Sequence, residues 1–240
     1  MTFKGKGVKT ILSLTLACFT ILCAYVSFKF FALKNTQSYF DSLDEALENP
    51  ELVKVLIIRN QEIDSLPASI GKMVNLRVLN IANNHLRVLP QSIGLLQNLE
   101  ELSVESNELS TLPVALGRLK RLKILNLGAN RLSEVPAEMI GLDSLRSLNL
   151  ANNQIEKVNV PEFPALEDLD LSENGIVELA APLLHLRLLK KLDLYNNQID
   201  KLPETLFALP LLNELILSGN PLDEGSRERY SNFLKVKATK

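Results

Sequence analysis

Carboxylates and two histidines are the side chains in this sequence that could take part in chemistry. Asp168, Asp170 and Asp193 are separated by two and by twenty-three residues, and paired carboxylates can exchange protons with a substrate or bind Ca²⁺. The sequence indicates neither the closed pocket that catalysis needs nor enough ligands for Ca²⁺. His85 and His185 are far apart and near no serine or carboxylate that could complete a catalytic group, so we predict ordinary surface residues.

Composition excludes several classes of function. The 240 residues carry a net charge of -2, which gives no basic surface for a nucleic-acid backbone. Cys18 and Cys23 are the only cysteines, and both lie in an N-terminal apolar stretch. The rest of the chain therefore has no disulfide framework, thiolate metal site or cysteine nucleophile. We predict a protein that is not an enzyme, has no metal or cofactor, and binds no nucleic acid.

The candidate residues are positioned by a repeat. "LRVLNIANNHLRVLPQSIGLLQN" (76–98) is followed by "LEELSVESNELSTLPVALGRLKR" (99–121), with leucines, asparagine, proline and glycine at matching places. A fixed period of this length is typical of a solenoid, in which stacked units bury one continuous core. Eight units begin at these residues: Val53, Leu76, Leu99, Leu122, Leu145, Leu166, Leu189 and Leu212.

Each unit contains an L-x-L segment, and this period of two predicts a short strand with one buried face. Stacked strands form a parallel sheet about 4.8 Å apart. An asparagine follows each strand where the chain turns, and its amide can both donate to and accept from backbone groups of its own and the neighbouring turn. The first unit has Gln61 at this position. The predicted asparagine ladder is Asn84, Asn107, Asn130, Asn153, Asn174, Asn197 and Asn220.

The back of each unit is predicted to be a short 3₁₀ segment. Proline ends strand pairing after the turn, and apolar residues three apart then suit one tight turn. Glycines such as Gly94 and Gly117 are predicted to need a permissive backbone there. The fifth unit reads "VNVPEFPA" (158–165) and the sixth has Ala180 in the proline position. We expect irregular backs at both, reflecting either their own packing or a local partner site.

These motifs resemble leucine-rich-repeat proteins of the twenty-three-residue LPxxIGxL type, over residues 52–222. The entry segment "SLDEALENPELVKVLIIRNQEIDSLP" (42–67) is similar to that of bacterial members. The resemblance implies an α/β leucine-rich-repeat solenoid, curved and right-handed. Its parallel sheet would line the concave face, with short 3₁₀ and turn segments on the convex face. It also implies that the concave face binds a protein or peptide.

Outward strand positions of the later units carry an acidic cluster and one aromatic residue, Tyr195. Three interpretations remain open at this stage: a solvated negative face, a docking site for a basic partner, and a metal or catalytic site. The candidate binding face consists of Glu101, Ser103, Glu105, Asn126, Asn149, Asp168, Asp170, Asp193 and Tyr195.

The N-terminus is predicted to be a membrane-directing segment. Ile11 to Phe28 contains no charge, which is close to the shortest helix that can span about 30 Å of hydrocarbon. A retained signal anchor over 11–33, a cleaved signal peptide and a lipoprotein signal ending at Cys18 are the alternatives. Lysines before the apolar run predict that the repeats lie outside the cytoplasm, whether anchored, secreted or lipid-anchored.

Four segments follow from these patterns. Residues 1–34 are a signal anchor or signal peptide, 35–52 a linker with an N-terminal cap helix, 53–222 the eight repeats, and 223–240 a C-terminal cap helix. In the last segment Tyr230, Phe233 and Leu234 are predicted to fold back on the final unit as cap packing, with a recognition site as the alternative.

The favoured function is a non-enzymatic protein-protein interaction module on a membrane anchor. One alternative is a structural or adhesive envelope protein that self-associates, which concentration-dependent oligomerisation would reveal. Another is a scaffold subunit for a separate enzyme, which would co-purify with that enzyme. The sequence does not identify the partner.

Overall fold

The computed structural model describes residues 38–238 except 180–182 and 184. Two compact units are distinguished, Met1–Tyr39 and Phe40–Lys240, and the repeats lie in the second. The predicted membrane-directing segment, residues 1–34, lies outside the described residues. Within the described part of the chain, no helix has both the length and the apolar character needed to cross a bilayer.

The repeat produces one short strand per unit. In each three-residue strand, alternation places the middle leucine in the core and its two neighbours on the opposite face. These leucines, such as Leu125 and Leu148, are buried, and each contributes about 1.5–3 kcal/mol to stability. The strands are β1 (Tyr39–Phe40), β2 (Val55–Ile57), β3 (Val78–Asn80), β4 (Glu101–Ser103), β5 (Ile124–Asn126), β6 (Ser147–Asn149), β7 (Lys157–Val158), β8 (Asp168–Asp170), β9 (Glu178–Leu179), β10 (Lys191–Asp193) and β11 (Glu214–Ile216).

The main sheet has the order β1-β2-β3-β4-β5-β6-β8-β10-β11. From β2 onward the pairs are parallel, and their register places equivalent positions of successive units side by side. A residue's place in the repeat therefore determines which side chains flank it on the neighbouring strands. A parallel sheet backed by short 3₁₀ helices is the architecture of a leucine-rich-repeat solenoid.

Two α-helices flank the repeats, α1 (Leu43–Glu48) and α2 (Glu224–Ala238). Behind the sheet, 3₁₀ helices begin after prolines that have extended backbone, as the L-P motif predicts. Within the described residues the regular 3₁₀ helices are Ala68–Lys72, Gln91–Leu95, Val114–Arg118, Ala137–Met139 and Glu204–Ala208.

The glycines of these 3₁₀ helices are required for close packing, which corrects the predicted need for a permissive backbone. A Cβ on Gly94 would lie 2.5 Å from the carbonyl oxygen of Ala115, and one on Gly117 would lie 2.2 Å from that of Ile140. Neither glycine has a positive φ. The missing side chain lets one 3₁₀ helix approach the backbone of the next.

The backs of the fifth and sixth units contain regular strand pairing, although we predicted irregular backs there. Strands β7 and β9 pair in parallel as a second, two-stranded sheet, and Lys157 also bridges to Glu134. The fully buried Phe163 contributes to the core beside them. Ala180, the residue in the proline position of the sixth unit, lies outside the described residues.

Both ends of the repeat array carry helical caps. Ser42 Oγ accepts from the backbone N–H of Glu45 at the start of α1, as an N-cap does. At the other end Tyr230 Oη donates to the carbonyl of Leu215 at 2.9 Å, which satisfies a group on the last strand. Phe233 packs on Phe207 with ring centroids 5.8 Å apart. Leu234 instead is 46% exposed, so its predicted packing on the final unit is wrong.

Candidate functional site

The candidate site is the exposed sheet face, the side of the main sheet opposite the buried leucines. Two outward columns run across it, one from the first and one from the third residue of each strand. The first column reads Val55, Val78, Glu101, Ile124, Ser147, Asp168, Lys191, Glu214. The second column reads Ile57, Asn80, Ser103, Asn126, Asn149, Asp170, Asp193, Ile216.

Most polar residues of the second column also hold the backbone. The side-chain oxygens of Asn126 and Asn149 accept from the N–H two residues later, at 3.0 and 2.8 Å. Asp170 and Asp193 make the same bond with Oδ1, both at 2.9 Å. Such an Asx turn is a local bond that asparagine and aspartate make equally well. These residues therefore have a structural role in addition to any contact with a partner.

The later units bring Asp168, Asp170 and Asp193 together on the adjacent strands β8 and β10. Burial in the sheet raises the pKa of Asp193 to about 6; the Tyr195 N–H bond opposes this rise, while the neighbouring charge of Asp170 adds to it. Burial likewise raises the pKa of Asp168, and the charge of Lys191 opposes that rise. Ionisation of Asp168 and Asp193 is therefore less favourable in the folded protein than in an exposed chain.

Glu214 extends this acidic cluster and was missed in the sequence analysis. It pairs in register with Lys191, and their charged groups lie 3.2 Å apart. The signal was available, because Glu214 occupies the same repeat position as Asp168 and Lys191. Tyr195 follows Asp193 by two residues and is 44% exposed, so an aromatic side chain stands beside the acids.

The earlier units present a less charged surface. Glu101 and Ser103 lie on β4, and the carboxylate of Glu105 accepts from the amide of Asn126 at 3.1 Å. Glu101 stands next to Ile124 in register. The structure thus places Glu101, Ser103, Glu105 and Asn126 together, but separates them from the acidic cluster by the neutral strand β6.

Ion pairs border both parts of the face at the position preceding each strand. Glu100 contacts Arg77 and Lys123, and Glu167 contacts Arg146 and Lys190. The hydrogen bond from Lys190 lowers the pKa of Glu167, so this carboxylate stays ionised and neutralised. The negative charge of the face that these ion pairs do not balance therefore comes from residues on the strands.

The asparagine ladder lies at the turn that follows these strands. The amide of Asn130 donates to the carbonyls of Val104, Leu127 and Gly128, and its oxygen accepts from the N–H of Leu109. All seven asparagines donate to a carbonyl of the preceding unit and accept from a backbone N–H: Asn84, Asn107, Asn130, Asn153, Asn174, Asn197 and Asn220. The ladder joins consecutive units and is not exposed for recognition.

The residue before each ladder asparagine has a left-handed backbone, which the sequence analysis missed. Asn83, Asn152 and Asn196 suit this conformation, whereas Ala129 and Glu173 adopt it at φ 51° and 53°. The recurrence of asparagine at this position was the available signal.

The described residues contain no group of three or more His, Cys, Asp or Glu side chains that could hold a metal ion. His85 and His185 are both exposed, as predicted. His85 Nδ1 lies 3.6 Å from Glu108 Oε1, so the prediction that neither histidine lies near a carboxylate is wrong for His85, because the repeat places these two turn residues side by side. The arrangement of the exposed sheet face is suited to contact with charged groups of a partner.

Two family models match the chain. One, described as a leucine-rich repeat region, covers residues 68–169, and the other, described as a leucine rich repeat, covers residues 164–222. With the fold above, these matches confirm the resemblance that the motifs indicated. The chain belongs to the leucine-rich-repeat proteins. No curated protein matches it.

Several solved structures have a similar fold. Internalin C2 from Listeria monocytogenes is 24% identical with a TM-score of 0.65, over 75% of this chain and 77% of that one. The ectodomain of the receptor kinase GASSHO1/SCHENGEN3 from Arabidopsis thaliana, in complex with CASPARIAN STRIP INTEGRITY FACTOR 2, is 26% identical with a TM-score of 0.57. That match covers 77% of this chain and 26% of the ectodomain.

A structure of a TLR13–ssRNA13 complex is also similar. It is 26% identical with a TM-score of 0.64, over 74% of this chain and 27% of that one. The match therefore spans about a quarter of the length of the TLR13 chain and of the GASSHO1/SCHENGEN3 ectodomain. These similarities establish the solenoid fold but do not identify a partner for this chain.

Proposed function

We propose that this protein is a non-enzymatic interaction module whose exposed sheet face binds a protein or peptide. The face would be the concave side of the solenoid. Leucine-rich-repeat domains are protein-interaction modules, and this membership supports the class of function. The acidic part of the face supports a partner segment rich in lysine or arginine.

The exchange of asparagine for aspartate along one column carries the proposal. Asn126 and Asn149 show that an uncharged amide satisfies the Asx turn. Asp170 and Asp193 make the same bond and add charge that burial disfavours, since the pKa of Asp193 is about 6. Residues that conflict with the local energetics of a fold are expected at functional sites.

A basic partner segment would relieve this conflict, because its cations would stabilise the ionised carboxylates. Tyr195 would contribute an aromatic contact at the border of the cluster, as exposed aromatic residues often do at interfaces. Each Asx bond engages one carboxylate oxygen, Oδ1, so contact with a partner is proposed for the other. Chain charge supports a protein over a nucleic acid, although the TLR13–ssRNA13 complex shows an RNA with this fold.

Presentation on a membrane is a further part of the proposal. The apolar run from Ile11 to Phe28 and the lysines before it support a single N-terminal anchor, with the repeats outside the cytoplasm. The bacterial origin indicated by residues 42–67 is proposed on the same footing. Fractionation of cells, followed by protease treatment of intact cells, tests this placement directly. Repeats that remain protected inside intact cells would contradict it.

The test of the binding face is crosslinked capture from the native membrane fraction, with the intact chain as bait. The matched variant replaces Asp168, Asp170 and Asp193 by asparagine. Lysine at positions 170 and 193 would also remove the Asx bonds, whereas asparagine keeps them and removes only charge. We expect a specific partner with the native bait and a loss of at least about tenfold, or about 1.4 kcal/mol, with the variant.

A second bait with Glu134→Gln, Glu138→Gln and Glu156→Gln is the control for total charge, since these three residues lie outside the main sheet. It should capture the partner as well as the native chain does. Equal capture by all three baits would contradict a role for the acidic cluster.

A further inference from the structure

A second surface, distant in sequence from the acidic cluster, lies where α2 meets the last 3₁₀ helix. An open groove of about 590 Å³ runs between them. We refer to it as the C-terminal groove, lined by Phe207, Leu209, Pro210, Phe233, Val236 and Lys237. Phe207 and Phe233 supply its aromatic surface, and Lys237 lies 5.4 Å from the ring centroid of Phe233. Two cations, Arg229 and Lys237, and one acid, Glu204, line it, and Arg229 also donates to the carbonyl of Leu202.

Apolar surface in this groove stays open to solvent. Val236 is 55% exposed, and Leu211 and Leu234 nearby in sequence are 41% and 46% exposed. Capping helices usually end a repeat array with a polar outer face. Exposed apolar side chains at such a cap depart from that pattern.

The opposite end of the repeat array has complementary charge. The acidic cap surface consists of Asp41, Asp44, Glu45, Glu48 and Glu51, all exposed. Helix α1 has no basic residue in its last turn, so Glu48 lies unfavourably at the negative end of the helix. Lys54 is the only cation among residues 41–54, which gives this segment a formal charge of -4, from five acids and one lysine.

From these two surfaces we infer that the chain self-associates head to tail: the acidic cap surface of one copy docks in the C-terminal groove of a second copy. The two surfaces belong to opposite ends of one sheet, since β2 and β11 are the outermost strands of the eight-unit array. Each copy therefore offers one donor and one acceptor surface. Such a heterologous contact forms rings or open filaments instead of closed two-fold dimers.

The occupant is a second copy because the charges match within this one sequence. In this contact Lys237 meets the acids of the cap, and Leu52, 47% exposed beside that cap, adds an apolar side chain. This contact uses neither the acidic cluster of β8 and β10 nor the Asx turns. It is therefore independent of the proposed binding face.

Sedimentation of the full chain in detergent micelles tests the inference through exchanged charges. The tail variant carries Asn232→Glu and Lys237→Glu, and the head variant carries Glu48→Lys and Glu51→Lys. Asn232→Glu and Glu48→Lys suit their helices, because glutamate favours helix more than asparagine does and lysine suits the C-terminal end of α1. Glu51 lies outside α1, and Lys237→Glu places an acid in the last turn of α2, which is mildly unfavourable. Folding of each variant is checked by circular dichroism before sedimentation.

The native chain should rise in average mass by about twofold or more as its concentration increases. The rise should disappear in 1 M salt, where the Debye length is about 3 Å. Each variant alone should stay at the mass of one chain. The two ends of the tail variant repel each other, and the cap segment of the head variant, with three acids and three lysines, no longer attracts the groove. An equimolar mixture should regain the association, since each head now matches the other variant's tail.

Two outcomes would overturn the inference. A native chain that keeps the mass of one copy at every concentration contradicts self-association. Association that persists in both single variants contradicts these two surfaces and assigns the contact to other parts of the chain. A mixture that fails to associate while the native chain does so contradicts the charge match.

Discussion

The exposed sheet face has two parts that share a backbone and differ in charge. Strands β5 and β6 carry Asn126 and Asn149 in the second column, whereas β8 and β10 carry Asp170 and Asp193. The Asx bond is the same in both parts, within 0.2 Å. The comparison separates what the fold requires, an oxygen acceptor, from what it merely tolerates, a charge.

The segments behind these two parts of the sheet differ in backbone structure, whereas the strands do not. Behind the early units, 3₁₀ helices pack so closely that Gly94 and Gly117 cannot carry a side chain. Behind the fifth and sixth units, the two-stranded sheet β7-β9 takes their place. The later units keep the sheet face in register even though their backs are built differently.

Loss of a ladder asparagine should have the largest effect on stability and should be equal in both parts. Asn130→Ala and Asn197→Ala each leave one backbone N–H without its acceptor, that of Leu109 or of Ile176. Each also removes one of the donors to three carbonyls, which keep a second donor. We expect a loss of about 3 kcal/mol in the free energy of unfolding for each. Urea denaturation measures it, with Gln198→Ala as a control that should be nearly neutral. Costs that differ by more than about 1 kcal/mol would mean that the two parts do not share one scaffold.

A methyl group between the packed 3₁₀ helices should disrupt the early part. Gly117→Ala places a Cβ 2.2 Å from the carbonyl oxygen of Ile140, so the packed 3₁₀ helices must separate. We expect a destabilisation of about 2 kcal/mol. Gly175→Ala is the control, because Gly175 lies in the turn after Asn174 and a Cβ there would meet nothing closer than 3.7 Å. It should change stability by less than about 0.5 kcal/mol. Thermal unfolding monitored by circular dichroism measures both. Equal effects would contradict the assignment of the glycines to close packing.

Neutralising Asp193 should reveal the electrostatic cost of the acidic part. Its folded pKa of about 6 lies above the ordinary value of 3.8, so stability falls as pH rises from 4 to 6 and the unfolded chain loses its proton first. Asp193→Asn should therefore stabilise the protein by about 1 kcal/mol at pH 7.5, allowing for solvent screening. The gain should vanish at pH 4.

The converse substitution is the matched experiment in the neutral part. Asn149→Asp keeps the Asx acceptor and adds a charge next to Asp170 in register. It should destabilise the protein at pH 7.5 and not at pH 4. A gain from Asp193→Asn that is independent of pH would show that the carboxylate charge is not its cause.

The smallest expected effect concerns the left-handed position before the ladder. Ala129→Asn should stabilise the protein by about 0.5 kcal/mol, because asparagine tolerates a positive φ better than alanine. Glu173→Asn should do the same in the later part. Denaturation midpoints measured side by side resolve effects of this size. Destabilisation by both changes would mean that these side chains contribute contacts of their own.

The sheet and the ladder could be predicted from the sequence because each unit repeats the same pattern of buried leucines and a turn asparagine. Leu125 and Leu148 alternate with outward residues, and an asparagine follows each strand at a constant distance. The family followed from the same spacing. The register then placed Asp168, Asp170 and Asp193 together, as the spacing of twenty-three residues implies.

Other features depend on distances between units that no single unit encodes. The close approach at Gly117, the pairing of β7 with β9 and the exposure of Leu234 arise from how neighbouring backs pack. The Asx bonds of the second column depend on side-chain rotamers, so Asp170 and Asp193 could be predicted as outward residues but not as backbone acceptors. Partner identity is a property of another molecule, and the candidate face stays a prediction in that respect.

One measurement tests the central claim most directly: whether the location of charge on the exposed sheet face controls binding. The variant combines Asp170→Asn and Asp193→Asn with Asn126→Asp and Asn149→Asp. Net charge and every Asx acceptor are retained, while two carboxylates move to the early part of the face. The binding constant for the captured partner is then compared with that of the native chain by titration calorimetry.

Our account predicts a loss of affinity of at least about tenfold at low salt, with the unfolding free energy changed little by comparison. Unchanged affinity would contradict it, because the acidic cluster of β8 and β10 would then be solvated surface and the partner would bind elsewhere.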